Sequence, residues 1–120
     1  EAREDGIVRA VGCSNHDFRS LCADADEPWV EVVLVRINPT GHNMDAMPED
    51  VVPVLERMNA RGIGTYGMKV LAKGRISDDP KFAIQYQLNV PVDAFVIGME
   101  SRKQVDENVR LLEQLTEVSI

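Results

Sequence analysis

Glu31-Val32-Val33-Leu34-Val35-Arg36-Ile37, followed at once by Asn38-Pro39, is the stretch that decides the fold class. A strand exposed on one side alternates apolar with polar residues. This run is apolar and β-branched almost throughout, so it reads as a strand covered on both faces. Asn38-Pro39 stops it, and a polar loop through Gly41 and His42 leads to Pro48-Glu49-Asp50, a helix opening. Val51, Leu55 and Met58 recur at helical spacing and form the inner stripe. Pro53 is tolerable there only in the first turn, where a backbone N–H has no intrahelical partner to lose. Gly62 supplies the helix stop.

The same unit recurs on either side. Upstream, Val8–Cys13 is a short apolar run ending at Ser14-Asn15, read as an N-cap pair. A helix follows with Phe18, Leu21, Cys22 and Ala25 on one face. Downstream, Ile63–Met68 is a third strand, and a loop runs from Lys69 to Asp79. Pro80 then opens a helix with Phe82, Ala83 and Tyr86 facing inward. Ala94–Ile97 is the last strand, and Gly98-Met99-Glu100 links it to a helix with Val105, Val109 and Leu112 in register. Ser101 and Gln104 form an S-x-x-Q capping box at its start. Strand then helix, repeated throughout, implies an α/β fold with a parallel sheet and right-handed crossovers. The spacing is that of βα units in a barrel. A doubly wound sheet is the alternative, but no Gly-rich dinucleotide fingerprint follows any strand.

With 120 residues the chain is long enough for one domain and too short for two. A net charge of −7 argues against nucleic acid and anionic membrane as partners. No apolar run approaches the ~20 residues of a membrane span, and Glu1–Gly6 is too charged for a signal peptide. Cys13 and Cys22 make no disulfide framework, and a reducing cytoplasm is the expected location. Glu1 in place of an initiating Met fits a piece of a longer protein. Cys13, His16, Cys22 and His42 match no zinc spacing, so no metal site is expected.

In parallel βα architectures the loops after the strands face the ligand. The residues there are Ser14, Asn15, Asn38, Met68, Lys69, Gly98 and Ser101. Lys69, Lys73 and Arg75 follow the third strand, and Arg102 and Lys103 follow the fourth. Taken singly, Lys73 and Lys103 read as solvated surface charge. Taken together, the five cations and the N-terminus of the last helix read as an anion rim.

V-R-A-V-G-C-S-N-H (8–16), V-R-I-N-P (35–39), G-M-K-V-L-A-K-G-R-I (67–76) and I-G-M-E-S-R-K-Q-V-D-E-N (97–108) occur in that order. Together they resemble the second half of the aldo/keto reductases, most closely the branch of predicted oxidoreductases with G-M-K after the seventh strand. The resemblance implies the C-terminal half, strands five to eight and their helices, of a (β/α)8 TIM barrel. It implies that Ser14 and Asn15 hold the nicotinamide carboxamide, which needs one donor and one acceptor. It puts Gly98, Ser101 and Gln104 around the adenosine ribose and its phosphate, and Glu107 and Asn108 on the adenine. Arg102 or Lys103 would meet a 2′-phosphate, favouring NADP over NAD. Met68 aligns where the nicotinamide ring would pack, and Lys69 counts among the cofactor-binding residues. This sequence departs from the family in having Leu34 where many members carry Gln, and Met68 where many stack an aromatic ring.

The family's Asp, Tyr, Lys and His tetrad lies on the first four strands, so no catalytic residue is assigned. Tyr66 and Lys69 stand in the wrong repeat for it, and Tyr66 is expected between strand and helix. His16 reads as a first-turn helix residue, and His42 as a solvated loop residue or a substrate contact. The function implied is NAD(P)H-dependent carbonyl reduction, or alcohol oxidation, by hydride transfer in the parent enzyme. The isolated chain is expected to be inactive. Two alternatives are a non-catalytic nicotinamide-nucleotide-binding module and an independent four-repeat domain binding phosphate or a protein partner. The sheet's inner face is expected to draw on residues such as Val11, Val33, Val35, Thr65 and Val96, although alternation does not settle which of them point inward, because both faces are apolar. The missing N-terminal half-barrel or a second copy in a homodimer would cover it.

Overall fold

The structure, a computed structural model, describes residues 1–118. Its elements are β1 (Gly12–Asn15), α1 (Phe18–Asp24), β2 (Val32–Arg36), α2 (Pro48–Ala60), β3 (Gly64–Met68), a 3-10 turn (Ala72–Gly74), α3 (Pro80–Asn89), β4 (Ala94–Phe95) and α4 (Arg102–Thr116). The four strands form one parallel sheet in the order β1-β2-β3-β4. Alternating strands and helices around a parallel sheet make this an α/β fold, as the sequence predicts.

Register decides which face each side chain takes. Ser14, Leu34, Tyr66 and Ala94 lie in one row across the sheet, and Arg36 and Met68 share another on the same face. The residues between them point the other way. Val33, Val35 and Thr65 are only 0%, 2% and 2% exposed. Val33 and Val35 lie in one core with Leu21 and Ala25, and with Val51, Leu55 and Met58 of α2. From α3, Gln87 Nε2 donates to the Ile37 carbonyl at 2.7 Å, and Tyr86 packs against the same core. Helices α1, α2 and α3 therefore cover one face, whereas a doubly wound sheet carries helices on both. Of the candidates for the open face, Val33, Val35 and Thr65 are thus on the other side, a choice that the sequence left open. A run apolar on both sides gives alternation nothing to read. The open face carries Ser14, Val32, Leu34, Arg36 and Tyr66 instead.

Local chemistry accounts for the element ends. β1 begins at Gly12, not Val8, and runs through Ser14-Asn15. A Cβ on Gly12 would land on the Val32 carbonyl, so the strand can approach β2 there only with glycine. The N-cap of α1 is consequently Asp17, whose Oδ1 accepts from Ser20 N at 2.8 Å, and His16 precedes the cap. At the end of α2, Gly62 takes φ +77° and Ile63 N donates to Met58 O at 3.0 Å, a Schellman stop. Pro53 falls in the second turn of α2, not the first. It is exposed, as is Glu49, whose freed carbonyl can be met by water. In α3 the inward residues are Ala83, Ile84 and Gln87, while Phe82 is 48% exposed. Gly67 explains the rotation: a Cβ there would sit 2.5 Å from Gln87 Oε1, so Gln87 fills the space a side chain would take. β4 is shorter than expected, and α4 packs on α3 without burying any residue fully. Val105 of its stripe stays 40% exposed.

Candidate functional site at the carboxyl edge of the sheet

All four strands end on the same edge, and the loops leaving β2 and β3 are tied together there by Asn38. Its side chain is fully buried (0% exposed) and every polar atom is used. Nδ2 donates to the carbonyls of His42 (2.9 Å) and Lys69 (3.3 Å), and Oδ1 accepts from Thr40 N (3.1 Å) and Oγ1 (2.9 Å). One residue before the loop, Arg36 Nη1 donates to Asn43 O at 3.0 Å. The loop after β3 is held in a left-handed backbone at Lys69 (φ 59°), Ala72 (φ 49°) and Lys73 (φ 55°). Such residues cost of order 1–3 kcal/mol each and concentrate at ligand-binding segments. Val70 and Ala72, 2% and 0% exposed, anchor this turn from below.

The sequence-predicted residues fall into two groups along this edge. In the first, Ser14 is exposed on the open face, but Asn15 points to the helix side and is 8% exposed. Its Nδ2 donates to Asp24 Oδ2 at 2.6 Å, so the Ser–Asn pair is divided across the sheet. Met68 shares the register row of Arg36 and is 6% exposed. The Lys69 carbonyl is occupied by Asn38 and by Ala72 N. Tyr66 stands on the open face in the row of Leu34, not between strand and helix.

In the second group, Gly98 is exposed ahead of α4, and Ser101 is the N-cap. Ser101 Oγ accepts from Gln104 N at 3.2 Å while Gln104 Oε1 accepts from Glu100 N at 2.7 Å. The first bond is that of the expected capping box, but the Gln104 side chain reaches past the N-cap to Glu100 N rather than to Ser101 N. Arg102 is exposed beside it, and Lys103 pairs with Glu107 at 3.5 Å on the surface. Glu107 also lines a shallow groove with Pro80, Arg110, Leu111 and Gln114, and Asn108 is half-buried next to it.

Two members of the cationic rim act on His42. His42 is half-buried, and its ring is held below the ordinary imidazole range by partial burial first, then by Arg75 and Lys73. The loop after β3 thus sets two exposed cations whose field reaches the histidine of the loop after β2. The Cys13 thiol is pushed up by burial, then by Asp24, which disfavours its thiolate. Among the described residues no group of His, Cys, Asp or Glu is arranged to hold a metal ion. Among them, too, no helix is long and apolar enough to cross a membrane.

Compared with protein-family models, curated proteins and solved structures, the chain matches none. The site must therefore be read from its own chemistry. Sequence reasoning missed Arg36 in that chemistry. It stands on the open face at the carboxyl end of β2, and its Nε is buried with no acceptor. The available signal was a cation closing an otherwise apolar strand.

Proposed function

We propose that the chain is the C-terminal half of a (β/α)8 barrel of the aldo/keto reductase type and carries part of a nicotinamide-nucleotide site. The observation that carries this reading is the sheet itself: consecutive parallel strands in sequence order, with the packed helices on one face. Sequential order and one-sided cover are what a barrel wall requires. The sequence resemblance supplies the ligand. Ser14 on the open face would meet the carboxamide, and Gly98, Ser101, Arg102 and Gln104 would surround the adenosine phosphate at the start of α4. Asn15 is turned toward Asp24 and would have to release it to share the carboxamide. When bound, the nicotinamide supplies the hydride, and these residues orient it. The parent protein would reduce a small carbonyl compound or oxidise an alcohol. The other half of the barrel would come from the preceding segment of a longer protein or from a second copy.

Calorimetric titration of the purified protein with adenosine 2′,5′-bisphosphate and with AMP tests the nucleotide assignment. Tighter binding of the bisphosphate, lost in Arg102→Ala, is expected. Equal or absent binding of both would sink it. The chain alone should show no steady NADPH oxidation with aldehydes, because the tetrad region is not in it. A rate proportional to purified protein would contradict that.

A further inference from the structure

We propose that Arg36 and Asn43 bind the anionic group of a small ligand, a carboxylate or a phosphate, at the carboxyl edge of the open face. Arg36 is a half-buried cation that lines a small cavity with Asp17 and Asp45, yet both carboxylates are engaged elsewhere, Asp17 by Ser20 and Asp45 by Phe18 N, and neither pairs with it. The ion pairs of side chains among the described residues are Arg3–Glu31, Arg57–Asp26 and Lys103–Glu107. Arg36 belongs to none of them. Its Nη1 is spent on the Asn43 carbonyl, and its Nε, wholly shielded from solvent, meets no acceptor. A buried N–H of a charged group left without an acceptor costs its desolvation with nothing in return.

Asn43 carries the second signal independently. Its Nδ2 is also wholly shielded and unpartnered. Its backbone is held at φ 57°, and the Arg36–Asn43 hydrogen bond keeps the two residues adjacent. Both orphans are donors, so what is missing is an acceptor rather than a cation. A guanidinium fork beside an amide matches two oxygens of one anion. Charge favours an anion over water to the extent that Arg75 and Lys73 act on His42, the residue before Asn43. None of these residues is assigned to the nucleotide, so the inference stands apart from that reading. On the barrel reading, the anion would belong to the substrate.

The test is a nitrogen-15 NMR titration of the purified protein with sodium phosphate and with malonate, at constant ionic strength set by sodium chloride. Saturable shifts of the Arg36 Nε and Asn43 Nδ2 resonances are expected, with a millimolar dissociation constant. Arg36→Gln should weaken binding at least ~10-fold, equivalent to one decade in the dissociation constant. Asn43→Gly accepts the left-handed backbone while removing the amide, and should weaken it several-fold. Arg36→Lys keeps charge without the fork and serves if the Gln variant fails to fold. It should bind more weakly than the wild type. The proposal is overturned if neither anion gives a saturable shift up to ~50 mM. It is equally overturned if chloride alone reproduces the shifts, or if every Arg36 variant binds like wild type. Saturation by phosphate alone or by malonate alone supports the site and names its ligand class. A parallel titration with adenosine 2′,5′-bisphosphate separates the two readings. Phosphate binding lost in Arg36→Gln with nucleotide binding intact keeps both, and anion binding at Arg36 without any nucleotide binding defeats the nucleotide assignment alone.

Discussion

Asn38 should be the most sensitive polar residue in the protein, and two substitutions of different chemistry separate the reasons. Asn38→Ala removes four hydrogen bonds. The two to Thr40 should matter little, because Thr40 is exposed and its groups can turn to water. The two to the His42 and Lys69 carbonyls join separate loops, and each is worth about 1 kcal/mol net. A small cavity adds to this, for a total of about 2–3 kcal/mol. Asn38→Asp keeps the shape and leaves no cavity. It replaces Nδ2 with an oxygen facing two carbonyl oxygens at a position 0% exposed. An unpaired buried charge typically costs about 3–5 kcal/mol, so the isosteric change should be the worse one at pH 7.

Urea unfolding measures both variants. With a slope of ~1–3 kcal/mol per molar, the Ala variant should lose roughly 1–2 M in midpoint and the Asp variant more. The Asp variant should regain stability as pH falls, because its protonated carboxyl can again donate to one carbonyl. Burial and the two carbonyls raise the folded carboxyl above its unfolded value, so its stabilising, protonated form is lost as pH rises. If the Asp variant is as stable as wild type at neutral pH, or milder than Ala, then Asn38 is not the clamp between these loops.

Three further outcomes follow from the same structure. Gly67→Ala places a Cβ 2.5 Å from Gln87 Oε1 and 3.0 Å from Ile37 Cγ2, and should cost about 1–3 kcal/mol in chemical unfolding. Adding Gln87→Ala should recover part of that loss, whereas simple additivity would show the two are uncoupled. Ser101→Ala should cost about 1 kcal/mol locally, read as faster amide exchange in α4 with little change in the global midpoint, since α4 buries no residue fully. His42 is held below its ordinary value of 6.5, so its contribution is present above that pH and declines as pH falls through the lowered folded value. His42→Gln should flatten that acid slope, and an unchanged slope would assign it to other groups.

The parts of the fold legible in sequence were those whose chemistry is local. Pro48 and Pro80 open their helices, Gly62 ends one, and Ser101 with Gln104 starts another, because each conformation is set within a few residues. What lay beyond reach depended on partners far along the chain. Ser14-Asn15 has the composition of a cap, yet β2 is close enough to extend the ladder through it, and Asp17 takes the cap. The phase of α3 depends on a glycine twenty residues upstream that makes room for Gln87. Asn38 was visible as a polar residue ending a strand. Nothing in its neighbours said that it would be wholly consumed by two loops.

Arg36 shows why a site can hide inside a strand that is read correctly. Within Val32–Arg36 the valines at 33 and 35 face the helices, and 32, 34 and 36 face away. That second set is Val, Leu and then Arg, so the open face changes from apolar to cationic only at its carboxyl end. An apolar uncovered face requires cover on both sides of the sheet, as parallel sheets generally do. A cation at the end of such a face requires something else, since apolar cover would leave the guanidinium desolvated and unpaired. The two demands are met together if the face is enclosed by more protein and its carboxyl end holds an anion. That division, dry wall below and charged mouth above, is the arrangement in which barrel enzymes bind their ligands.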